Sequence, residues 1–387
     1  MSQRQSVVEY AIGIAAEIRP VWTTRRTRNF VAAACLCIAG AATAEVIVVG
    51  DQTQEAIQAA LDQLGGPGTV IVPPGRYQVD GTVVIRNDGV TLQGSGDASV
   101  LFRSVDDSTN PMVESTRHAQ VRITGLRFEG FSNVDPNLGE LSNGREVGVH
   151  IADGADFRVD HCSFTRTGRS GVWTSGTISG GTSSGVVDHC AFEDLFNPVV
   201  NNLGYGVEVG GVNVLQAPTE PFGSGLATFI EDSSFRLCRH AVASNRAARY
   251  VFRNNYVALN QIAHAVDAHG HESGSVVGTE WADVHDNLIE NPIYRGYAVR
   301  IRGGMGLVWN NRFSDYNQGI ELTQDTDQPT GPIYIWDNAI VPETSPMLRA
   351  RGTMGTPVFF LSPPADYVPF PYPHPLATGA GAGAGAD

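Results

Sequence analysis

The sequence predicts an all-β chain: a right-handed, single-stranded parallel β-helix with a short N-terminal capping helix. Three observations predict it. Forty-four glycines and only 17% charged residues suit many short strands and turns better than a helical bundle. Two short phrases alternate along the chain at intervals close to one coil, the mark of a repeat architecture. Within each phrase apolar and polar residues alternate, so every other side chain faces the same way.

The first 44 residues read as a leader. Arg25, Arg26 and Arg28 precede an apolar run from Phe30 to Ala42, and Ala42-Thr43-Ala44 has the small-x-small form of a signal-peptidase site. The run is about 13 residues where a spanning helix needs roughly 20. Export to the periplasm or exterior is therefore expected, with no membrane span after cleavage. Losing five arginines and two glutamates with the leader moves the formal charge from −14 to −17. So acidic a chain argues against nucleic acid as a partner. No lysine occurs anywhere, which excludes a lysine base or Schiff base.

Thr53 to Leu64 carries apolar residues at 56, 57, 60, 61 and 64, a helical spacing, and is the capping helix. Residues 45–362 form the predicted β-helix domain. Its opening turns contain TVIVPPGRY (Thr69–Tyr77) and GVTLQG (Gly89–Gly94), phrases that resemble the N-terminal turns of the pectate-lyase-like β-helix superfamily. That resemblance implies the scaffold. It also implies a chain that acts on or binds polysaccharide, since the superfamily contains lyases, hydrolases, sugar epimerases, adhesins and glycan-binding modules. Calcium is common among the lyases so resembled, but no calcium ligands are assigned: Asp106-Asp107 and Asp325-x-Asp327 are too generic.

The first repeated phrase reads GVHI at 148, GVWT at 171, GVEV at 206, AVAS at 241, AVDA at 265, AVRI at 298 and GIEL at 319. The second ends at residues 164, 192, 235, 257, 289, 313 and 340. A long insertion falls within 193–228, and loops of that kind tend to carry function. Asn255, Asn287, Asn311 and Asn338 align in the second phrase as a structural corner ladder. Cys162 and Cys190 occupy equal positions in adjacent coils, close enough for a disulfide or for two buried thiols. Residues 363–387, rich in proline and then in Gly-Ala, are expected to be an extended or disordered tail.

Aligning the first phrase selects candidate site residues. The third position gives the ladder His150, Trp173, Glu208, Ala243, Asp267, Arg300, Glu321; the fifth includes Asn245, His269 and Arg302. Coils stack at ~4.8 Å, which makes Asp267 a neighbour of Arg300 and puts His269 between Asn245 and Arg302. Asp267, His269, His264, Arg300 and Arg302 are the candidate catalytic set. Trp173, Tyr205, Glu208, Arg239, His240, Asn245, Arg246, Tyr297 and Glu321 are candidate substrate contacts. A bland reading is a solvated sheet face whose charges pair across coils.

Two chemistries fit such a patch. In β-elimination a cation neutralises a uronate carboxylate, the proton α to it becomes acidic, and a base removes it. Arginine suits the planar carboxylate, and His269 or His264 the base. Hydrolysis needs two carboxyls, and Glu208, Asp267 and Glu321 fall two coils apart, roughly 10 Å, which is wide for an inverting pair. A zinc reading of Asp267, His269 and His271 is opposed by the neighbouring arginines, so no metal is assigned. The expectation is a lyase on an acidic extracellular polysaccharide, with a β-helix hydrolase or epimerase and a non-catalytic glycan-binding protein as alternatives.

Overall fold

The computed structural model describes residues 44–104, 110–131, 146–176, 183–195, 203–212, 220–258, 264–271, 276–291 and 296–379. The leader, and the Asp106-Asp107 pair, therefore lie outside the described residues. Among the described residues, no helix is long and apolar enough to cross a membrane.

The chain winds as a right-handed parallel β-helix. Its strands stack into three parallel sheets, one of twelve strands and two of ten, and successive turns visit each sheet once. The helix Gln54–Gln63 covers the first coils. Thr53 caps it, its hydroxyl accepting the Ala56 amide at 3.1 Å, and Ile57, Ala60 and Leu61 are buried. These side chains close an end that would otherwise expose the apolar lumen.

Inside, like residues stack on like. Phe128, Phe164, Phe192 and Phe235 form a column with ring centroids 4.9, 4.9 and 4.7 Å apart. Strand stacking imposes the spacing, and nearly parallel rings fill it without voids. At the corner between the twelve-stranded sheet and the sheet holding these rings, each coil turns through a residue with positive φ. His161, His189, Asp232, Asn254, Asp286, Asn310 and Asp337 all hold φ between 50° and 57°. Short polar side chains tolerate this left-handed region better than branched ones.

The next residue in each corner satisfies the freed backbone. The Asn255 amide donates to Asn287 Oδ1 at 2.9 Å, Asn287 to Asn311 at 3.1 Å and Asn311 to Asn338 at 3.0 Å. Each Nδ2 also donates to a main-chain carbonyl of the preceding coil. Cys162 and Cys190 occupy the same corner three and two coils before Asn255. They are buried free thiols, each set against carbonyl oxygens, rather than a disulfide.

The C-terminal segment departs from the sequence expectation. Residues 363–379 make no ladder, but they are docked across the outer face of the twelve-stranded sheet. Phe370 and His374 pack on Phe229, with centroids 4.7 and 4.6 Å away. Arg253, fully buried, pairs with Glu231 at 2.7 Å and donates to the carbonyls of Phe370 and Pro371, both at 2.7 Å. The Tyr367 hydroxyl donates to Asp283 at 2.6 Å, and Arg158 donates to the Leu376 carbonyl at 3.1 Å. The described part of the 193–228 insertion joins them: Phe222 meets Trp281 edge-on, within a small second core of Val186, Ala227, Phe229, Val251 and Trp281. Composition argued for an extended or disordered tail; the described part is extended, and scattered aromatic residues and exposed carbonyls supply enough contacts to dock it as a strap.

Candidate active site

The site lies on the sheet built from the first phrase. The register is the one the repeats imply: His150 opposes Trp173, Trp173 Glu208, Glu208 Ala243, Ala243 Asp267, Asp267 Arg300, and Arg300 Glu321. Long side chains then choose their partners diagonally. Arg302, not Arg300, binds Asp267, with Nε to Oδ1 at 3.1 Å and the terminal nitrogen to Oδ2 at 2.7 Å. Arg300 turns the other way, to Glu321 at 3.2 Å and towards Asp325 at 4.0 Å.

Asp267 is the hub. It is 1% exposed, and besides Arg302 it meets three imidazoles: His269 Nε2 at 2.7 Å, His264 Nε2 at 3.0 Å and His240 Nε2 at 3.4 Å. Burial opposes the charge on Asp267, but Arg302 and His269 override it and hold the carboxyl well below the usual carboxylate range. Burial pushes His240 well below the usual imidazole range, with His264 adding to the effect, and lowers His264 against the pull of Asp267.

The two buried histidines belong to a ring column: Tyr205–His240 at 5.5 Å, His240–His264 at 4.4 Å and His264–Tyr297 at 5.2 Å. His240 is fully buried and His264 is 6% exposed, so neither can meet a polymer directly. Both are thereby corrected as substrate contact and base. Asp267 is likewise a positioning residue, and Glu321, 1% exposed between Arg300 and Arg351, is no substrate contact.

The surface-facing groups are fewer. His269, Glu208, Asn245 and Leu203, over the buried Tyr205, Ala243 and Ser244, line a recess of about 160 Å³. Glu208 accepts two bonds from Arg169, at 2.8 and 2.9 Å, and Arg169 stacks 3.9 Å over Trp173. Trp173 in turn stacks on His150 at 4.0 Å. Arg239 reaches the Tyr205 hydroxyl at 3.3 Å, while Arg300 lies 5.5 Å from the Tyr297 ring. Arg246 sits in the turn after its strand at φ 57° and joins none of the described pairs around Asp267. His271 pairs with Asp327 at 2.7 Å, which separates it from Asp267 and removes the Asp267, His269, His271 zinc set. The sequence reading missed Arg169 and Arg351. Arg169 was open to discovery, since it immediately precedes its strand as Arg239 does, two coils later.

Fold and site together define a pectate-lyase-like parallel β-helix protein. The sequence profile of the family described as rhamnogalacturonase A/epimerase, pectate lyase-like, matches residues 48–267, and the chain belongs to that family. No curated protein matches it by sequence. Among solved structures, the chain is similar to the enzymatically active domain of a bacteriophage CBA120 tailspike protein at 9% identity and TM-score 0.52. It covers 82% of this chain and 46% of that one. The ORF18 protein of Geobacillus virus E2 gives 14% identity, TM-score 0.51 and coverage of 81% and 62%. An alginate lyase from Paenibacillus sp. str. FPU-7 gives 12%, 0.47, and coverage of 79% and 99%. The viral likenesses are ones of fold, and the chain spans less than two thirds of both viral proteins.

Proposed function

We propose that the protein is an exported carbohydrate-active enzyme that cleaves an acidic, uronate-containing polysaccharide by β-elimination. The observation that carries this reading is the Asp267–His269 pair. A buried, ionised carboxylate accepts from His269 Nε2 at 2.7 Å; that tautomer leaves Nδ1 as the nitrogen without the hydrogen, on a residue that lines the recess.

In the proposed step the uronate carboxylate pairs with Arg300, whose side chain is 19% exposed and offers donors in a planar fork. His269 Nδ1 takes the proton α to that carboxylate. The released electron pair forms the carbon–carbon double bond as the bond to the glycosidic oxygen breaks. Tyr205, which borders the same recess, is buried and its pKa is raised by that burial, so the leaving oxygen takes its proton from solvent. Arg302 acts through Asp267, fixing the orientation of His269.

Hydrolysis is the weaker reading. Arginine donors engage Glu208, Asp267 and Glu321 alike, whereas a hydrolase needs one carboxyl that carries a proton to the leaving oxygen. The family profile and the leader support a glycan substrate met outside the cytoplasm. Incubation with a panel of uronate polymers tests the reading. New ultraviolet absorbance from an unsaturated uronate is expected, and His269→Ala should lower its rate by at least about 100-fold. Reducing ends without that absorbance would mean hydrolysis, and binding without cleavage across the panel would sink both.

A further inference from the structure

We propose that His240, His264 and Asp267 form a binding site for a divalent transition-metal ion of the zinc type. The proposal goes beyond elimination chemistry, because it stands whatever the substrate is.

His240 Nδ1 lies 2.6 Å from the main-chain oxygen of His264. A carbonyl only accepts, so Nδ1 carries the hydrogen and Nε2 carries the lone pair. That lone pair faces Asp267 Oδ2 at 3.4 Å. His264 Nε2 sits 3.0 Å from Asp267 Oδ1. His240 Nε2 is buried with no hydrogen-bond partner, and His264 Nε2, equally buried, has only the Asp267 carboxylate in reach and meets it at poor angles. The His240 lone pair turned onto a carboxylate is repelled by it unless a cation lies between them, and the same cation would be met by His264 with its hydrogen on Nδ1.

Arg302 does not meet that need. It binds one lone pair on each oxygen of Asp267, and His269 approaches Oδ2 as well. A carboxylate has about four lone-pair sites, so at least one on the His264 side is still available. The three prospective ligand atoms lie within 4.8 Å of one another. Bonds of ~2.0–2.2 Å to one ion require only a small contraction of that span. The His240 hydrogen bond to a carbonyl is the arrangement that fixes ring and tautomer in metal-binding histidines. Two imidazoles and one carboxylate select a borderline divalent ion, whereas calcium takes six to eight oxygens. Because Arg302 shares the carboxylate, the ion is held less tightly than by an unshared set, and the repulsion from Arg302 is softened by that same pairing.

The test needs no substrate. The untagged full chain, dialysed with excess Zn2+ or Mn2+ and then against metal-free buffer, is analysed by inductively coupled plasma mass spectrometry. About one equivalent of ion per chain is expected, falling at least tenfold in His240→Ala and His264→Ala. X-ray absorption at the metal edge of the wild-type protein should show two imidazole ligands, a readout that survives if a variant fails to fold. Sub-stoichiometric wild-type metal after loading, or an ion that persists in the folded double variant, would overturn the site. Failure of the uronate assay with a metal-loaded protein would count against elimination alone.

Discussion

Asp267→Asn keeps the size of the hub side chain and removes the charge that Arg302 and His269 meet at 2.7 Å. Arg302 then loses the carboxylate that it binds through two nitrogens. Breaking such a pair costs about 3–5 kcal/mol, so a clear fall in the urea midpoint is expected. Adding Arg302→Leu should recover part of the loss, because no cation then faces the uncharged amide. A midpoint unchanged in the single variant would mean the hub carries no net pairing energy. The facing of Asp267 and Arg300 was legible because strands alternate side chains with period two and coils stack at a fixed spacing. The true partner was not. Arginine spans to the diagonal neighbour across a ladder as readily as to the direct one, and sequence spacing cannot choose between them. Nor could it show that His240 and His264 would converge on Asp267 from the corner preceding the strand. Their burial depends on the packing of Tyr205 and Tyr297 around them.

At the scale of a corner, the asparagine ladder makes a separate prediction. Asn287 Nδ2 donates to Phe252 and His285 carbonyls and to Asn311, while its Oδ1 accepts the Asn255 amide. Asn287→Ala leaves several buried groups without partners, at a cost of about 1–3 kcal/mol for each one left unsatisfied. Chemical denaturation should show a larger loss for Asn287 than for Asn338 at the last corner, where fewer coils depend on it. Equal losses would make the ladder a sum of local bonds with no dependence on position. This element was readable from recurrence alone, since stacked amides need one residue type at one position in every coil. Cys162 and Cys190 fill that position by a different chemistry, and alignment could not tell a thiol set against carbonyl oxygens from half of a disulfide.

Across the whole molecule, the strap of residues 363–379 ties distant coils together, and its hold depends on pH. Burial and the nearby Arg253 lower the pKa of His374 from an ordinary 6.5 to about 4. An undocked strap therefore takes up the proton first. Docking is at full strength above pH 6.5 and weakens as pH falls from 6.5 towards 4. Urea midpoints of wild type and His374→Leu should diverge over that window, with the variant showing the flatter profile; parallel profiles would exclude His374 as the titrating group. Composition hid the strap, because a stretch without strand periodicity is held here by partners more than a hundred residues away.

That distance matters for how the chain reaches its final state. Coils can stack one upon another as an N-terminus-first chain is released, since each new strand pairs with the one just laid down. The Arg158–Leu376 contact joins residues 218 apart in sequence, so the outer face of the central coils stays uncovered until nearly the whole chain has arrived. Until then Arg253 and Glu231 remain wet, and Phe229 and Trp281 stand open to solvent. The strap thus works as a terminal seal. A chain cut short before residue 363 would still wind, yet would present an adhesive apolar stripe that marks it as unfinished.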